Sequence, residues 1–191
     1  MVTKTRTRPL LSLIRLDYRA YNLSSKRLIL ACVSLSPFWL VMLYRVSHWL
    51  LTYHLSVPAA MLFGLGKLIY AAEISPGAEC GAPLRFVHPV GIVLGAGVVL
   101  GDNCEIFQHV TFGGHDKSQG AATIGDNVTI FAGAVLLGPV KIGSGSAIGA
   151  NSVVINDVPA LTTVFGIPAK PVARVEVPHA LRSLPASFKS H

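Results

Sequence analysis

Bulky apolar residues recur every six positions through the second half of the chain. The series is Leu94, Leu100, Ile106 and Phe112, and after a gap Ile124, Ile130, Leu136, Ile142, Ile148 and Val154. An α-helix repeats near 3.6 residues and a simple strand at 2, so neither element explains a period of six. Glycine often follows the apolar residue, and a smaller apolar residue returns four places later. Short strands joined by tight turns give this pattern, which predicts a parallel β-helix from Ile74 to about Pro159.

The same six-residue frame extends backward from Leu94 to His88, Ala82 and Pro76. On this frame an ionisable ring stands at His88, where later rungs carry an aliphatic side chain. An imidazole titrates near neutrality and can accept a proton from a reacting hydroxyl. We therefore take His88 as the first candidate catalytic residue.

The first 72 residues carry neither the repeat nor strand alternation. We predict a basic arm over residues 1–9 and about three helices, broken near residues 22–25, 36–37 and 56–58. The β-helix domain then covers residues 73–160. A polar loop after Phe112 leaves the coil and returns in frame, because the spacing there doubles to twelve residues. Residues 161–191 form a C-terminal turn and tail.

Two uncharged runs, residues 28–44 and 46–66, are long enough to raise the question of a membrane span. Prolines and histidines interrupt both runs, so we expect packed helices first, a membrane-surface helix second and a span last. The formal net charge is +7. The first 27 residues contain seven Lys and Arg residues but a single acidic residue, Asp17. This segment predicts a solvated terminus or peripheral contact with an anionic membrane, and no partner nucleic acid.

The 191-residue chain is 51% hydrophobic, which excludes disorder as its main state. Its three cysteines are odd in number and have no CxxC spacing. We interpret them as reduced core residues with no metal or redox role. No secretory signal pattern is visible, so we predict a cytoplasmic protein that reaches at most the inner face of the plasma membrane.

Five ordered motifs carry a family resemblance, at residues 73–78, 88–93, 108–114, 149–154 and 166–170. Together they resemble serine O-acetyltransferases, and look closest to the serine-acetyltransferase-like enzymes of capsule and exopolysaccharide clusters, such as those of colanic acid. The likeness covers roughly residues 40–172. It implies a mainly β fold, a left-handed parallel β-helix preceded by a small α-helical region. It also implies a homotrimer or dimer of trimers, with acetyl-CoA bound between subunits and no metal.

The resemblance also implies roles for individual residues. His88 matches the general base, and Glu73 matches the carboxylate that orients its ring. Backbone N–H groups at Gly113 and Gly114 are candidates to stabilise the oxyanion. The coenzyme contacts fall on Gly149, Ala150, Gly166, Pro168, Ala169 and Lys170. In this set, Lys170 would meet a phosphate.

Two departures from the family concern the acceptor. Serine-specific members carry an aspartate directly before the catalytic histidine and an Arg-His pair at the end of the loop. Here Val87 takes the first place, and the shortened loop ends in residues 120–123, Gly-Ala-Ala-Thr. A zwitterion buried without charged partners is strongly destabilised. With Val87, His109 and His115 as acceptor-site candidates, we predict a neutral saccharide hydroxyl, on a capsule or exopolysaccharide precursor, as the acceptor.

Three alternatives stay open. The first is a serine O-acetyltransferase of cysteine biosynthesis, which has the same chemistry and another acceptor. The second is a γ-carbonic-anhydrase-like metal site of His88, His109 and His115, although spacings of 21 and 6 do not resemble that family's. The third is a catalytically silent scaffold whose helical region docks to a membrane-bound biosynthetic complex.

Overall fold

The computed structural model describes residues 8–21, 36–113 and 120–172. Within them, three helices precede the β region: α1 (Leu10–Ala20), α2 (Pro37–Thr52) and α3 (Ser56–Tyr70). Two predicted breaks coincide with the starts of α2 and α3, and proline opens α2, where its missing N–H is tolerated. The break predicted near residues 22–25 lies outside the described residues. No helix in the described parts of the chain is long and apolar enough to cross a membrane.

Fifteen short strands follow in the described residues. They are β1 (Glu73–Ile74), β2 (Glu79–Cys80), β3 (Leu84–Phe86), β4 (Val93–Leu94), β5 (Val99–Leu100), β6 (Cys104–Ile106), β7 (Thr111–Gly113), β8 (Thr123–Ile124), β9 (Thr129–Ile130), β10 (Val135–Leu137), β11 (Lys141–Ile142), β12 (Ala147–Ile148), β13 (Val153–Val154), β14 (Thr163–Phe165) and β15 (Lys170–Val172).

The strands build three parallel sheets in which every third strand is a neighbour. The first sheet runs β1-β4-β7-β10-β13, the second β2-β5-β8-β11 and the third β3-β6-β9-β12-β14, with β15 antiparallel on β14. The chain therefore coils through one strand of each sheet per turn, and we call each such layer a rung. This arrangement confirms the predicted parallel β-helix. The six-residue apolar series lies in its interior, for example with Leu94 paired to Phe112 and Ile130 to Ile148.

The predicted loop after Phe112 returns in frame. Val99 pairs with Thr123 and Leu100 with Ile124, so the second sheet continues without a shift in its inward-facing positions. Residues 114–119 of this loop lie outside the described residues. The polar interval is therefore an insertion at the junction of the first and second sheets.

The backward extension of the repeat to His88, Ala82 and Pro76 is wrong by two residues. The inward-facing residues of the first rung are Ile74, Cys80 and Phe86, which pair 20 positions further along. The regular distance is 18, as in the pairing of Val93 with Thr111. Two additional residues therefore lie between β3 and β4. A frame counted from Leu94 cannot detect them, because only the strand pairing shows where a turn is longer.

Candidate active site

His88 lies in the corner that holds the two additional residues. Five residues, 87–91, separate the buried Phe86 from the buried Ile92, whereas the next rung uses only residues 107–109 at this corner. The N–H of Val87 still donates to Ile106 O at 2.9 Å, and the chain rejoins the stack where Gly91 N–H donates to Ala71 O at 3.1 Å. The extra length turns the imidazole outward, and His88 is exposed.

The corners between the third and first sheets form one edge of the β-helix, which we call the His88 edge. It comprises the corners at residues 87–91, 107–109, 131–133 and 149–151. At its far end lies the β14–β15 turn at residues 166–169, where Gly166 O accepts the N–H of Val153. Next to the imidazole on this edge is the Phe107 ring, edge-on at 6.4 Å between centroids. Phe107 in turn contacts Phe131, with ring centroids 5.2 Å apart. The candidate base therefore stands at the start of a row of aromatic side chains.

Glu73 begins β1, and its N–H donates to Ile92 O at 2.7 Å. Its carboxylate pairs with Nζ of Lys67 on α3 at 2.7 Å, and both side chains are about half exposed. In the single chain this carboxylate is thus held by α3. Its predicted contact with the His88 ring stays a prediction.

His109 lies on the same edge, one rung beyond His88. Its φ of +57° is in the left-handed region, which the corner requires and which Gly91 and Gly133 adopt in the rungs on either side. The His109 ring lies against Gly91, because a Cβ built on Gly91 would come 2.2 Å from Nδ1. Gly91 thus serves both the left-handed turn and the close approach of His109 to the His88 corner.

Gln108 is a residue of this edge that the sequence analysis does not single out. Its Oε1 is buried and has no hydrogen-bond partner in the described part of the chain. Its presence in a quoted motif, between Phe107 and His109, is the sequence signal that could have drawn attention to it. A buried acceptor without a donor is destabilising, so this oxygen lowers the stability of the single chain at this edge.

The predicted coenzyme-contacting turn lies at the far end of the His88 edge. Gly166 N–H donates to Ser152 Oγ at 3.1 Å, and Ala169 N–H donates to Val153 O at 2.8 Å. Lys170 is exposed and pairs with Phe165 in the β14–β15 hairpin. Rungs stack about 4.8 Å apart, so the turn lies four rungs, or about 19 Å, from the rung of His88.

Gly149 and Ala150 lie on this edge one rung before the turn. A Cβ built on Gly149 would come 2.0 Å from the Phe165 ring, so this position admits only glycine while Phe165 packs there. The structure therefore supplies a packing reason for Gly149. A coenzyme contact at Gly149 and Ala150 stays a prediction.

Gly113 lies on a different edge of the β-helix. It ends β7 at the junction of the first and second sheets, where its carbonyl accepts the N–H of Gly138 at 2.9 Å. The width of the first sheet separates it from the His88 edge, so one chain does not bring Gly113 to His88. Gly114 and His115 lie outside the described residues. Within the described ranges, no group of three His, Cys, Asp or Glu side chains could hold a metal ion.

Comparison with known proteins adds to this geometry. The bacterial transferase hexapeptide family (six repeats) matches residues 121–156. A serine acetyltransferase of Synechococcus elongatus is 42% identical over 133 residues, which cover 69% of this chain and 54% of that protein. The solved soybean serine acetyltransferase complexed with serine has a TM-score of 0.74 at 38% identity, over 85% of this chain and 69% of that one. The Brucella abortus strain S19 serine acetyltransferase in complex with coenzyme A has a TM-score of 0.77 at 33% identity, over 85% and 67% of the two chains.

The chain belongs to the serine acetyltransferase family. It spans 54% of the length of the Synechococcus relative. Membership confirms the expected left-handed parallel β-helix with helices before it. The relatives above are serine acetyltransferases, so the closer likeness to capsule and exopolysaccharide enzymes expected from the motifs is not supported.

Proposed function

We propose that this member of the serine acetyltransferase family is an acetyl-CoA-dependent O-acetyltransferase with His88 as its general base. One observation carries the proposal: His88 and the turn at residues 166–170 lie at opposite ends of one edge of the β-helix. Their separation of about 19 Å suits an extended pantetheine arm with its nucleotide at the turn and its thioester at His88. The coenzyme A complex of the Brucella relative supports this donor.

In the proposed reaction the exposed His88 imidazole accepts the proton of the acceptor hydroxyl as its oxygen attacks the thioester carbonyl. The C–O bond forms and the carbonyl oxygen becomes an oxyanion. When the intermediate collapses, the C–S bond breaks and the imidazolium returns its proton to the departing CoA thiolate. Glu73 would favour one tautomer of the ring and stabilise the imidazolium.

A site between copies of the chain fits the placement of the remaining candidates. Gly113 lies on another edge, so its predicted oxyanion role requires the loop of a neighbouring subunit to reach the His88 edge. We therefore propose a homotrimer or a multiple of three, in which the partner copy completes the site. The buried, free thiols of Cys80 and Cys104 fit the proposed cytoplasmic location.

The comparisons favour L-serine as the acceptor over the saccharide expected from sequence. The relatives are named serine acetyltransferases, and the soybean enzyme was solved with serine bound. Serine O-acetylation is therefore the first candidate.

A saccharide hydroxyl is the second candidate, and one specific observation favours it. Val87, adjacent to His88, is partly buried and places an apolar side chain where serine-specific members carry a carboxylate. The shortened loop likewise ends in residues 120–123, Gly-Ala-Ala-Thr, whereas those members carry an Arg-His pair at the end of the loop. The described site thus lacks these partners for the charges of an amino acid.

The test measures thiol release from acetyl-CoA by the full chain, with L-serine set beside a panel of nucleotide sugars and neutral oligosaccharides. His88→Ala should lower turnover by at least about 10²-fold while the KM for acetyl-CoA stays within about twofold. Turnover of serine with no saccharide accepted establishes the first candidate, and the reverse result establishes the second. Absence of thiol release with every acceptor, or near-wild-type turnover by His88→Ala, would remove the proposed function.

A further inference from the structure

An apolar surface extends over the C-terminal end of α2, the turn that follows it and α3, and we call it the helical apolar face. Its side chains are each at least 37% exposed, and they are Trp49, Leu51, Tyr53, Leu55, Val57, Met61, Leu65, Leu68 and Ile69. Those on α3 recur every three or four residues, so they lie on one side of that helix. Apolar side chains left in water over so continuous a surface indicate that another apolar surface covers them.

The helical apolar face borders a groove of about 460 Å³ between α2 and α3. Aliphatic and aromatic side chains of both helices line the groove, among them Met42, Val46 and Leu65. Tyr70 also lines it, and its hydroxyl donates to Ser36 O at 3.3 Å. The groove therefore suits a flexible hydrocarbon chain better than a charged ligand.

The exposed ionised side chains of the three helices are all cations. The helices each contact the first rung, so they gather at one end of the β-helix. Within the helix ranges the only carboxylate is that of Asp17, which is buried in an ion pair. Arg15 and Arg19 are exposed and lie four residues apart, on one side of α1, whereas the exposed Lys67 is paired with Glu73. This end of the molecule therefore combines apolar side chains with positive charge.

We propose that the helical apolar face docks on the surface of an anionic lipid bilayer. The exposed side chains of α3 enter the boundary between headgroups and acyl chains, and an acyl chain occupies the groove. Arg15 and Arg19 meet the negative charges of the headgroups. Trp49 and Tyr53 contact each other with ring centroids 4.9 Å apart, and such amphipathic rings favour the boundary between hydrocarbon and water.

A second copy of the chain is a less suitable occupant of this face. An isologous contact would bring the cations of one copy near those of the other across a two-fold axis, and like charges destabilise such a contact. A bilayer that contains anionic lipids supplies the opposite charge. Because the helices contact the first rung, which also carries His88, docking would hold the candidate active site close to the bilayer surface.

The first experiment uses the two tryptophans of the chain, Trp39 and Trp49, as reporters. Trp39 lines the groove and Trp49 belongs to the helical apolar face, so both should enter a less polar environment on docking. With the full chain and phosphatidylglycerol vesicles, we expect a blue shift of the emission and quenching by lipids brominated on their acyl chains. Vesicles of phosphatidylcholine alone should bind at least about tenfold more weakly, and added salt should weaken binding to phosphatidylglycerol.

Substitutions separate the apolar part of the contact from the cationic part. The double variant Met61→Ser/Leu68→Ser removes two strongly exposed apolar side chains and should weaken binding to phosphatidylglycerol by at least about tenfold. Arg15→Gln/Arg19→Gln should weaken the same binding about tenfold and leave the residual binding to phosphatidylcholine unchanged. The matched control is Leu161→Ser, since Leu161 is as exposed as Leu68, at 85% and 83%, but follows β13 near the other end of the β-helix. This control should bind phosphatidylglycerol within about twofold of the wild type.

Sedimentation without lipid distinguishes a bilayer from a second copy as the occupant. The Met61→Ser/Leu68→Ser variant should keep the wild-type oligomeric mass, with thiol release from acetyl-CoA in lipid-free solution within about twofold of the wild type. A lower oligomeric mass would overturn the proposal, because the face would then be a contact between copies. Absence of binding to phosphatidylglycerol, equal affinity for the two lipids, or equal binding by the wild type and the serine variant would overturn it as well. None of these results affects the acetyltransferase assignment, which depends on thiol release and on His88.

Discussion

The carboxylate of Asp17 in α1 holds the guanidinium of Arg45 in α2, with Nε 2.8 Å from Oδ2, and both side chains are almost completely buried. Arg45 also donates to the carbonyls of Cys80 and Gly81, each at 2.6 Å. Asp17 accepts the N–H of Leu84 at 2.8 Å. Burial lowers the pKa of Arg45, but the hydrogen bond and charge of Asp17 outweigh it and raise that pKa overall. The pair therefore fastens two helices to the first rung, which carries His88.

Removing one partner of this pair should destabilise the protein strongly. Asp17→Asn or Arg45→Met leaves the other group buried without its counter-charge, and we expect a loss of about 3–5 kcal/mol in the free energy of unfolding. Chemical denaturation of the assembled protein measures the change. The double variant should lose less than the sum of the single losses, since it leaves no uncompensated charge.

The pair of Arg8 and Asp102 provides the matched control. Its N–O distance is also 2.8 Å, but both side chains are about a third or more exposed. Arg8→Met should therefore change stability by only about 0.2–1 kcal/mol. Equal effects of Arg8→Met and Arg45→Met would show that burial does not decide the strength of these contacts.

Deleting His88 and Pro89 together should abolish activity and preserve the fold. The deletion shortens the corner to three residues and leaves Gly91 in the left-handed place that His109 and Gly133 hold in the following rungs. We expect thiol release to fall at least about 10²-fold, with an unchanged circular dichroism spectrum and oligomeric mass. An unfolded deletion variant would mean that the longer corner is required by the first rung itself.

Glu73→Gln and Lys67→Met separate the two contacts available to the Glu73 carboxylate. If Glu73 orients the His88 ring, Glu73→Gln should lower kcat about tenfold without altering the KM for acetyl-CoA. Lys67→Met removes only the cation 2.7 Å from the carboxylate, so kcat should stay at or above the wild-type value. Parallel losses of stability in both variants, with kcat unchanged in each, would make Glu73 a structural partner of α3.

Stability should fall as the pH rises above about 9. Burial raises the pKa of the Cys80 thiol to about 11 and that of Cys104 to about 12, from an ordinary value near 9. In this window the unfolded chain has released these protons and the folded chain has not, so the free energy of unfolding decreases with pH. Each thiol contributes up to about 1.4 kcal/mol per pH unit.

Denaturation midpoints between pH 9 and 10 check this prediction against the Cys104→Ala variant, because burial also raises the pKa of Tyr21 and Tyr44 and these groups add to the alkaline loss. Cys104→Ala should lower stability at every pH and flatten the dependence in the window. A slope as steep as that of the wild type would assign the alkaline loss to other groups.

The six-residue series determined the β-helix by itself. Each of its residues, such as Leu94 or Ile130, is buried by its own rung and the next, so local periodicity carries the whole signal. The family motifs likewise located His88, His109 and the turn at residues 166–170 before any geometry was known. The loop after Phe112 was predictable because its length is a multiple of the repeat.

The tertiary structure decided what depends on pairing between distant positions. The two additional residues at the His88 corner became visible only when Phe86 paired with Ile106, because a frame counted along the chain has no marker for an insertion. The contact of Asp17 with Arg45 joins helices 28 positions apart, and no period relates those positions. A rung can be predicted from its local sequence because the repeat recurs along the chain. A corner insertion or a buried ion pair cannot, because each depends on contacts that form only when distant segments fold together.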